Sequence, residues 1–271
     1  MKVISLNLNG IRAAARKGLY EWLPKVDADI ICLQELKAQE NQIEGLPFHP
    51  EGYHTYFHAA QKKGYSGVGI YCKQKPDKVQ VGLGKGFEDF DSEGRYLQAD
   101  FGDLSVVSLY MPSGSSKDER QAFKIDVMQR FEKKLKAMVK SNRQWIICGD
   151  WNIAHKKQDI KNWRGNQKNS GFLPEERQWL DWLFGEAEAE TEVPPRGDAG
   201  FADAFRLINQ ADEQYTWWSN RGQAWANNTG WRIDYHVITK NLAGKVKAGS
   251  DLIYKDERFS DHAPLILEYD L

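Results

Sequence analysis

The chain has 271 residues, of which 41% are hydrophobic and 28% are charged, and its formal net charge is −1. This is an ordinary globular composition, which argues against a disordered chain, a fibrous chain or a strongly basic nucleic-acid-binding tail. No apolar run approaches the roughly 20 residues that cross a bilayer, so we expect no transmembrane helix and no membrane partner. We see no domain boundary, and we therefore expect a single domain over residues 1–271.

Polar side chains follow several short apolar segments that the sequence predicts as buried strands. The apolar segments are residues 3–6, 30–33, 106–109 and 145–148, and the polar residues that follow them are Asn7, Asn9, Glu35, Tyr110, Asp150 and Asn152. Near the carboxyl end of the chain, Asp234, Asp261 and His262 flank further strand signals. One polar strand end is unremarkable, but recurrence at many strand ends predicts that these side chains meet in one site.

Three segments of the chain have helical patterns. Residues 11–26 are amphipathic, residues 116–142 carry a regular apolar stripe and form the longest predicted helix, and Pro174 opens a third helix. Between the last two, residues 156–171 form a basic, asparagine-rich loop, which we expect to overhang the site. Residues 186–198 are acidic and contain two prolines, which predicts a surface loop.

The stretch from residue 145 to residue 152 is the one around which the site is organised. Gly149 permits a sharp turn after the buried strand, so that Asp150 emerges at the end where α/β enzymes commonly keep their chemistry. Because alternate residues of an extended chain point to the same side, Asp150 and Asn152 are expected to address one ligand. A single such turn would ordinarily be only a solvated loop.

The cysteines argue against both zinc and a secreted protein. Cys32 and Cys148 lie inside strand-like runs, Cys72 ends another, and their spacing is not that of metal ligands. An odd number without such spacing predicts reduced thiols in the core of a cytoplasmic protein.

The cluster of polar residues suits metal-assisted hydrolysis of a phosphate ester. Glu35 and Asp261 are the carboxylates best suited to Mg²⁺, which binds few protein oxygens and keeps water and phosphate as its other ligands. Asp234 is placed to hold His262 in its charged, phosphate-binding form, and Asp150 to orient or deprotonate a water molecule. Tyr110 and Asn7 are candidate donors to a phosphate oxygen or the leaving group. Each residue alone is weak evidence; together they predict a phosphodiesterase.

The order of the motifs resembles the exonuclease III family of apurinic/apyrimidinic (AP) endonucleases over nearly the whole chain. The motifs are Asn7-Leu8-Asn9-Gly10-Ile11-Arg12, Leu33-Gln34-Glu35, Gly64-Tyr65-Ser66-Gly67-Val68, Tyr110-Met111-Pro112-Ser113, Gly149-Asp150-Trp151-Asn152, Gly230-Trp231-Arg232-Ile233-Asp234 and Ser260-Asp261-His262-Ala263-Pro264. Residues 165–172 and Tyr215-Thr216-Trp217-Trp218 are similar to the bacterial branch. The resemblance implies a DNase I-like, four-layer α/β sandwich of two packed mixed sheets with helices outside, and a site at one end of it.

The resemblance also implies a role for each site residue. Glu35 is the expected principal Mg²⁺ ligand (Mn²⁺ being the alternative ion), and the rest of the implied metal set is Asn7, Asn9, Asp150, Asn152, Asp261 and His262. The implied catalytic set is Tyr110, Asp150, Asn152, Asp234 and His262. Some family members carry Asp where this chain has Asn9, so Asn9 ranks below Glu35 as a ligand.

For the substrate, the resemblance implies double-stranded DNA that contains abasic sites or 3′ ends. Trp217, Trp231 and Ile233 are expected to wall a pocket for the flipped-out abasic sugar. The residues expected to contact the duplex are Arg12, Lys17, Tyr65, Asn166 and Asn169. Trp218 and Trp225 are expected to be structural. No signal for an oligomer is visible, so a monomer is the default expectation.

Two other functions compete with this one. The regulatory catabolite repression control protein of pseudomonads shares the fold but binds without catalysis; it departs from the catalytic pattern at motifs that are intact here in Asp150, Asn152 and Asp261. A phosphoinositide hydrolase or a general nuclease is the alternative among enzymes. The Gly-Trp-Arg-Ile-Asp-Tyr string and the basic loop favour DNA.

Overall fold

A computed structural model describes residues 1–186 and 196–271 of the chain. Most of the surface loop predicted at residues 186–198 therefore lies outside the described residues. Within the described ranges, no helix is both long enough and apolar enough to span a bilayer.

The strands are short and most of them are buried. They are β1 (Lys2–Asn7), β2 (Ile30–Gln34), β3 (His54–His58), β4 (Val68–Cys72), β5 (Lys78–Val81), β6 (Tyr96–Phe101), β7 (Leu104–Tyr110), β8 (Gln144–Asp150), β9 (Phe201–Asp203), β10 (Trp217–Trp218), β11 (Gly230–Trp231), β12 (Asp234–Thr239), β13 (Leu252–Ile253) and β14 (Leu265–Glu268).

The helices are α1 (Ile11–Arg16), α2 (Leu19–Val26), α3 (Glu88–Asp91), α4 (Asp118–Lys140), α5 (Trp163–Asn166), α6 (Pro174–Phe184) and α7 (Ala204–Ile208). The long helix α4 is slightly shorter than the predicted segment 116–142, and residues 11–26 form two helices because Gly18, with a φ of 88°, interrupts them. The helix predicted to open at Pro174 begins there.

The strands form two six-stranded sheets and one two-stranded ribbon. The first sheet has the order β13-β14-β1-β2-β4-β3, the second has the order β5-β6-β7-β8-β12-β9, and β10 pairs with β11. The pairs β1–β2 and β7–β8 are parallel and their other neighbours are antiparallel, so both sheets are mixed.

Apolar side chains from both sheets meet in one central core. Val3, Ile30 and Ile70 of the first sheet share a cluster with Val106 and Ile146 of the second sheet. A second cluster packs α4 and α6 on the outer face of the second sheet, and a third packs α1 and α2 on the outer face of the first sheet. The predicted four-layer sandwich is confirmed, because each sheet buries one face on the other sheet and its opposite face under helices.

All three cysteines lie within the described ranges, where each is buried and unpaired. The prediction that they are core thiols is confirmed.

Candidate active site

The predicted strand ends converge at one end of the sandwich. In the second sheet, Asp150 at the end of β8 stands in register with Tyr110 on β7 and with Asp234 on β12. Because β12 is antiparallel to β8, its first residue lies beside the last residue of β8. Asn7, at the end of β1 in the other sheet, donates from Nδ2 to Asp150 Oδ2 at 2.9 Å, which joins the two sheets at the site.

Two tight turns of the same construction hold the polar groups of β1 and β8. The backbone N–H of Asn9 donates to Asn7 Oδ1, and the N–H of Asn152 donates to Asp150 Oδ1, each at 2.9 Å. Such a bond to the backbone two residues on is an Asx-turn, which short polar side chains form readily. The turn that follows each strand is thus encoded by the residue that ends the strand.

The backbone at the site is unusual, because four of its residues other than glycine have positive φ. The values are 44° for Asn9, 56° for Glu35, 50° for Lys37 and 54° for Asn152. A non-glycine residue in this region costs of order 1 kcal/mol or more and persists only where its surroundings hold it, so such residues tend to cluster at functional sites. The concentration of such residues distinguishes this edge of the molecule from ordinary surface loops.

Gly149 is required for a different reason from the one that the sequence suggested. It lies within β8 and does not make the sharp turn. A Cβ at this position would lie 2.1 Å from the carbonyl oxygen of Leu109 on β7. Glycine therefore allows the close approach of the two strands that bear Tyr110 and Asp150.

A buried histidine lies between two buried carboxylates. His262 Nδ1 is 2.8 Å from Asp234 Oδ2, and His262 Nε2 is 3.8 Å from Asp150 Oδ2. Burial alone would lower the pKa of His262, but the ion pair with Asp234, assisted by Asp150, raises that pKa to about 10. His262 is therefore an imidazolium at neutral pH, and its Nε2 side is directed toward Asp150.

Asp150 is a carboxylate whose protonation state is finely balanced. Burial raises the pKa of Asp150 to about 7, and the charge of Asp234 adds to this rise. The charge of His262 and the hydrogen bonds from Asn152 and Asn7 act in the opposite direction. A carboxylate near neutrality is suited to general base chemistry.

Glu35, Asn9 and Asp261 form a second group of potential oxygen ligands, and two of them contact the cation Lys37. The ammonium group of Lys37 lies 2.9 Å from Glu35 Oε1 and 2.5 Å from Asn9 Oδ1. Asn9 Nδ2 donates to Asp261 Oδ1 at 3.0 Å, and Trp217 Nε1 donates to Asp261 Oδ2 at 3.1 Å. Burial raises the pKa of Asp261. The charge of His262 and these two hydrogen bonds outweigh that effect and bring the pKa of Asp261 below its usual value. A carboxylate and an amide oxygen that share one ammonium group, with a second carboxylate bound to the same amide, also fit a hard divalent cation.

Asp150, Asp234 and His262 also offer ligand atoms that lie within 4.8 Å of one another. A metal bound there would have to displace a proton from an imidazole that Asp234 holds in its charged form. The donor set of Glu35, Asn9 and Asp261 is therefore the better fit for Mg²⁺. Asn7 is fully buried, and both ends of its amide are engaged by Asp150 and Asn9, so it fits the role of positioning Asp150.

Tyr110 is a neutral phenol at the edge of the cluster. Burial, together with the charge of Glu35, holds the pKa of Tyr110 well above its usual value, against the opposing effect of Arg95. The Arg95 guanidinium lies 4.6 Å from the centre of the Tyr110 ring and donates to the Tyr110 carbonyl oxygen. Tyr110 therefore keeps its proton and can donate it in a hydrogen bond.

These groups line a cavity of about 790 Å³. The predicted site residues that line it are Asn9, Glu35, Tyr110, Asp150, Asn152, Asn169, Trp217, Trp231, Ile233, Asp261 and His262. Trp217 and Trp231 meet edge to face, with ring centres 6.1 Å apart, and Ile233 is buried beside them. The three predicted wall residues thus form one apolar side of the cavity.

Of the other residues predicted to contact the duplex, Asn169 lines the cavity, and Arg12, Lys17, Tyr65 and Asn166 do not. Arg12 and Lys17 are exposed, and Asn169, which does line the cavity, donates to Asn166 Oδ1. Tyr65 is held in place by its hydroxyl, which accepts from Arg95 at 3.0 Å and from Arg120 at 3.1 Å.

Two basic residues of the cavity were not predicted from the sequence. They are Lys37, described above, and Arg221; the third basic residue that lines the cavity, Lys168, belongs to the predicted basic loop. The signal for Lys37 is its place two residues after Glu35; nothing in the local sequence distinguishes Arg221. Trp218 and Trp225, expected to be structural, pack together with ring centres 4.5 Å apart, and neither lines the cavity.

Comparison with known proteins gives the same family as the motifs. The chain is 39% identical over 272 residues to an exodeoxyribonuclease of Bacillus subtilis, covering 98% of each chain. It is 36% identical over 276 residues to the DNA repair nuclease APEX1 of Danio rerio, covering 98% of this chain and 81% of that protein. Among solved structures, an AP endonuclease from Archaeoglobus fulgidus matches over the full length of both chains, with a TM-score of 0.83 and 26% identity. Residues 4–262 match the model of the endonuclease/exonuclease/phosphatase family. The chain therefore belongs to that family, and within it to the exonuclease III-type AP endonucleases that its motifs predicted.

Proposed function

We propose that this protein is a metal-dependent DNA repair nuclease that incises duplex DNA on the 5′ side of abasic sites. We propose further that the same site trims 3′ ends and works as a 3′→5′ exonuclease. The observation that carries the proposal is the buried His262 imidazolium, held by Asp234 and facing Asp150, with which it lines the cavity. Relatives that cover nearly the whole chain are named as an exodeoxyribonuclease and a DNA repair nuclease, which supports a hydrolytic nuclease acting on DNA.

Glu35, Asp261 and Asn9 would hold the metal, which we propose to be Mg²⁺, with Mn²⁺ as the alternative. When bound, such an ion neutralises charge on the phosphate and stabilises the leaving oxygen. The Lys37 ammonium already lies beside Glu35 Oε1 and Asn9 Oδ1, which supports a cation site at these two oxygens. Lys37 must then move aside or share Glu35 with the ion.

The hydrolytic step divides among four residues. Asp150 orients a water molecule and takes its proton as the water oxygen attacks phosphorus, and the bond from phosphorus to the 3′ oxygen breaks. The charged His262 stabilises the negative charge that builds on the phosphate oxygens. Asn152, whose Nδ2 is fixed by the Met111 carbonyl at 2.9 Å, contacts the same phosphate. Tyr110, as a neutral phenol, donates to a phosphate oxygen or to the departing 3′ oxygen.

The apolar side of the cavity accounts for recognition of an abasic sugar. Trp217, Trp231 and Ile233 form a compact wall, which favours a flipped-out deoxyribose without a base over a complete nucleotide. Arg12, Lys17, Tyr65, Asn166 and Asn169 would contact the DNA on either side.

The regulatory alternative, a silent binding protein, is not favoured. A protein that only binds has no physical need for a buried imidazolium between two carboxylates, because such a group is costly to desolvate. We also propose that the protein is cytoplasmic, because three buried thiols without disulfides suit a reducing compartment. We propose a monomer because the sequence carries no signal for an oligomer.

The experiment that tests the function is incision of a labelled duplex with one central tetrahydrofuran, a stable abasic analogue. Wild type and Asp150→Asn would be compared in Mg²⁺ and in EDTA, with an undamaged duplex beside them. We expect metal-dependent cleavage immediately 5′ of the analogue, lost in Asp150→Asn while DNA binding is kept. Asp181→Asn is the matched control, because Asp181 is also buried but pairs with His155, away from the cavity lining. Wild-type rates in Asp150→Asn, or no cleavage by the wild type, would contradict the proposal.

A further inference from the structure

A completely buried ion pair lies behind the active site. Lys124 on α4 and Glu176 on α6 have no exposed side-chain surface, and Lys124 Nζ lies 2.5 Å from Glu176 Oε1. A buried pair must overcome the loss of hydration of both charges, so replacing it with uncharged groups of similar shape often leaves stability unchanged or increases it. Stability alone is therefore a weak reason for this pair, and its remaining contacts point to the site.

Lys124 holds the backbone of the turn formed by residues 150–152, here called the catalytic turn. Its Nζ donates to the carbonyl oxygen of Asn152 at 2.7 Å. Asn152 has a φ of 54°, and its N–H and Nδ2 are already bound to Asp150 and to the Met111 carbonyl. The lysine therefore fixes the remaining backbone polar group of a residue whose conformation must be maintained by its surroundings.

Glu176 holds the loop that overhangs the cavity. Its Oε2 accepts from the backbone N–H of Gly171 at 2.6 Å and from that of Leu173 at 3.0 Å. Gly171 accepts in turn from the N–H of Ala154, two residues beyond the catalytic turn, at 2.8 Å. A Cβ on Gly171 would lie 3.0 Å from the Asn152 carbonyl oxygen and 3.1 Å from Trp231, so the loop lies directly on the turn and on the pocket wall.

We propose that the Lys124–Glu176 pair is a positioning device that sets the catalytic turn and the 165–172 loop at a fixed distance from each other. This inference rests on the proposed function. The loop carries Asn169, a cavity-lining residue that we place on the DNA, whereas the turn carries Asp150 and Asn152, which act on the scissile phosphate. The ion pair bonds to the catalytic turn through Lys124 and to the loop through Glu176. The position of DNA bound by the loop is therefore fixed relative to the attacking groups on the turn. Misplacement of reacting groups by about 1 Å can reduce a rate by roughly 100-fold.

The test is the double variant Lys124→Met/Glu176→Gln. Methionine fills the volume of the lysine stem but cannot donate to the Asn152 carbonyl, whereas the glutamine oxygen can still accept from Gly171 and Leu173. We expect the single-turnover incision rate of the tetrahydrofuran duplex, with enzyme in saturating excess, to fall about 10- to 100-fold. We expect the dissociation constant for the same duplex, measured in EDTA, to stay within about threefold of the wild-type value, because the groups that contact DNA are retained.

Asp181→Asn is the control for a purely structural role. Asp181 is buried on the same helix as Glu176 and pairs with His155, so its loss is expected to lower the melting temperature without lowering the rate of the folded enzyme. A double variant that behaves like this control, with a lower melting temperature and a wild-type rate, would overturn the inference.

Two further outcomes decide whether the Lys124–Glu176 pair has a positioning role. If the double variant does not fold, Glu176→Met alone serves, since it removes the acceptor for Gly171 and Leu173 while the Lys124 donor to the turn remains; a wild-type rate in that variant also overturns the inference. If the wild type itself fails to incise the duplex, the proposed function is wrong and this inference falls with it. A wild-type rate in the variants beside an active wild type would remove only the positioning role.

Discussion

Replacement of Asp234 by asparagine tests whether His262 is held in its charged form. The amide oxygen of asparagine can still accept from His262 Nδ1, so the change removes the negative charge and preserves the hydrogen bond. In the wild type, the pKa of His262 is raised from 6.5 to about 10. In Asp234→Asn, burial acts without this opposing charge, and we expect the folded protein to favour neutral imidazole.

The size and the pH dependence of the effect follow from the raised pKa. A group with a higher pKa in the folded than in the unfolded state stabilises the folded state fully below the unfolded value, and this contribution is lost as pH rises through the folded value. The full shift from 6.5 to about 10 corresponds to about 5 kcal/mol at pH 6, about 3 kcal/mol at pH 8 and under about 1 kcal/mol at pH 10. These are upper bounds on the effect of Asp234→Asn, because Asp150 and Asp261 also raise the pKa of His262 and remain in the variant. In Asp234→Asn, the two effects on the pKa of Asp150 partly cancel, because Asp150 loses the repulsion of the Asp234 carboxylate and the attraction of the His262 imidazolium together.

The assay is urea unfolding of wild type and Asp234→Asn at pH 6, 8 and 10 in EDTA, so that no bound cation contributes. We expect the difference in unfolding free energy to be largest at pH 6 and to shrink steadily toward pH 10. A difference that stays constant across this range would show that the charge of His262 does not depend on Asp234, and the reasoning would be refuted. The same comparison is made without the histidine, between His262→Gln/Asp234→Asn and His262→Gln. The difference in unfolding free energy between these two variants should not depend on pH, which identifies His262 as the titrating group.

Two other substitutions test the metal and the pocket. Glu35→Gln removes the charge of the proposed principal ligand, so the Mg²⁺ concentration for half-maximal incision should rise about tenfold or more; an unchanged titration would remove Glu35 from the metal site. Trp231→Ala opens the wall that it forms with Trp217 and should reduce the preference for abasic over undamaged DNA, whereas Trp225→Ala, outside the cavity, should leave that preference intact; equal losses on both substrates would mean that Trp231 is only a core residue.

The local sequence determined the strands and the polar groups that end them. A strand buried on both faces has a nearly continuous apolar sequence, and Asn7 and Asp150 are the last residues of two such strands. The Asx-turns after them also depend only on neighbouring residues, since the side chain binds the N–H two positions on. These features are local, which is why the sequence alone predicted the strand ends and the polar cluster, whereas the four-layer fold and the role of each residue followed from the order of the motifs and the family that it resembles.

The tertiary structure decided what surrounds each group. Gly149 allows the close approach of β7, and Lys37 lies between Glu35 and Asn9. Both features depend on contacts between segments that the local sequence does not specify. The same holds for Lys124, which reads as one more lysine on a charged helix. It is buried because Glu176, 52 residues later, comes to lie beside it. Protonation states depend on such neighbours and on burial, so the charge of His262 and the balance at Asp150 arise only when the two sheets and the final loop are assembled.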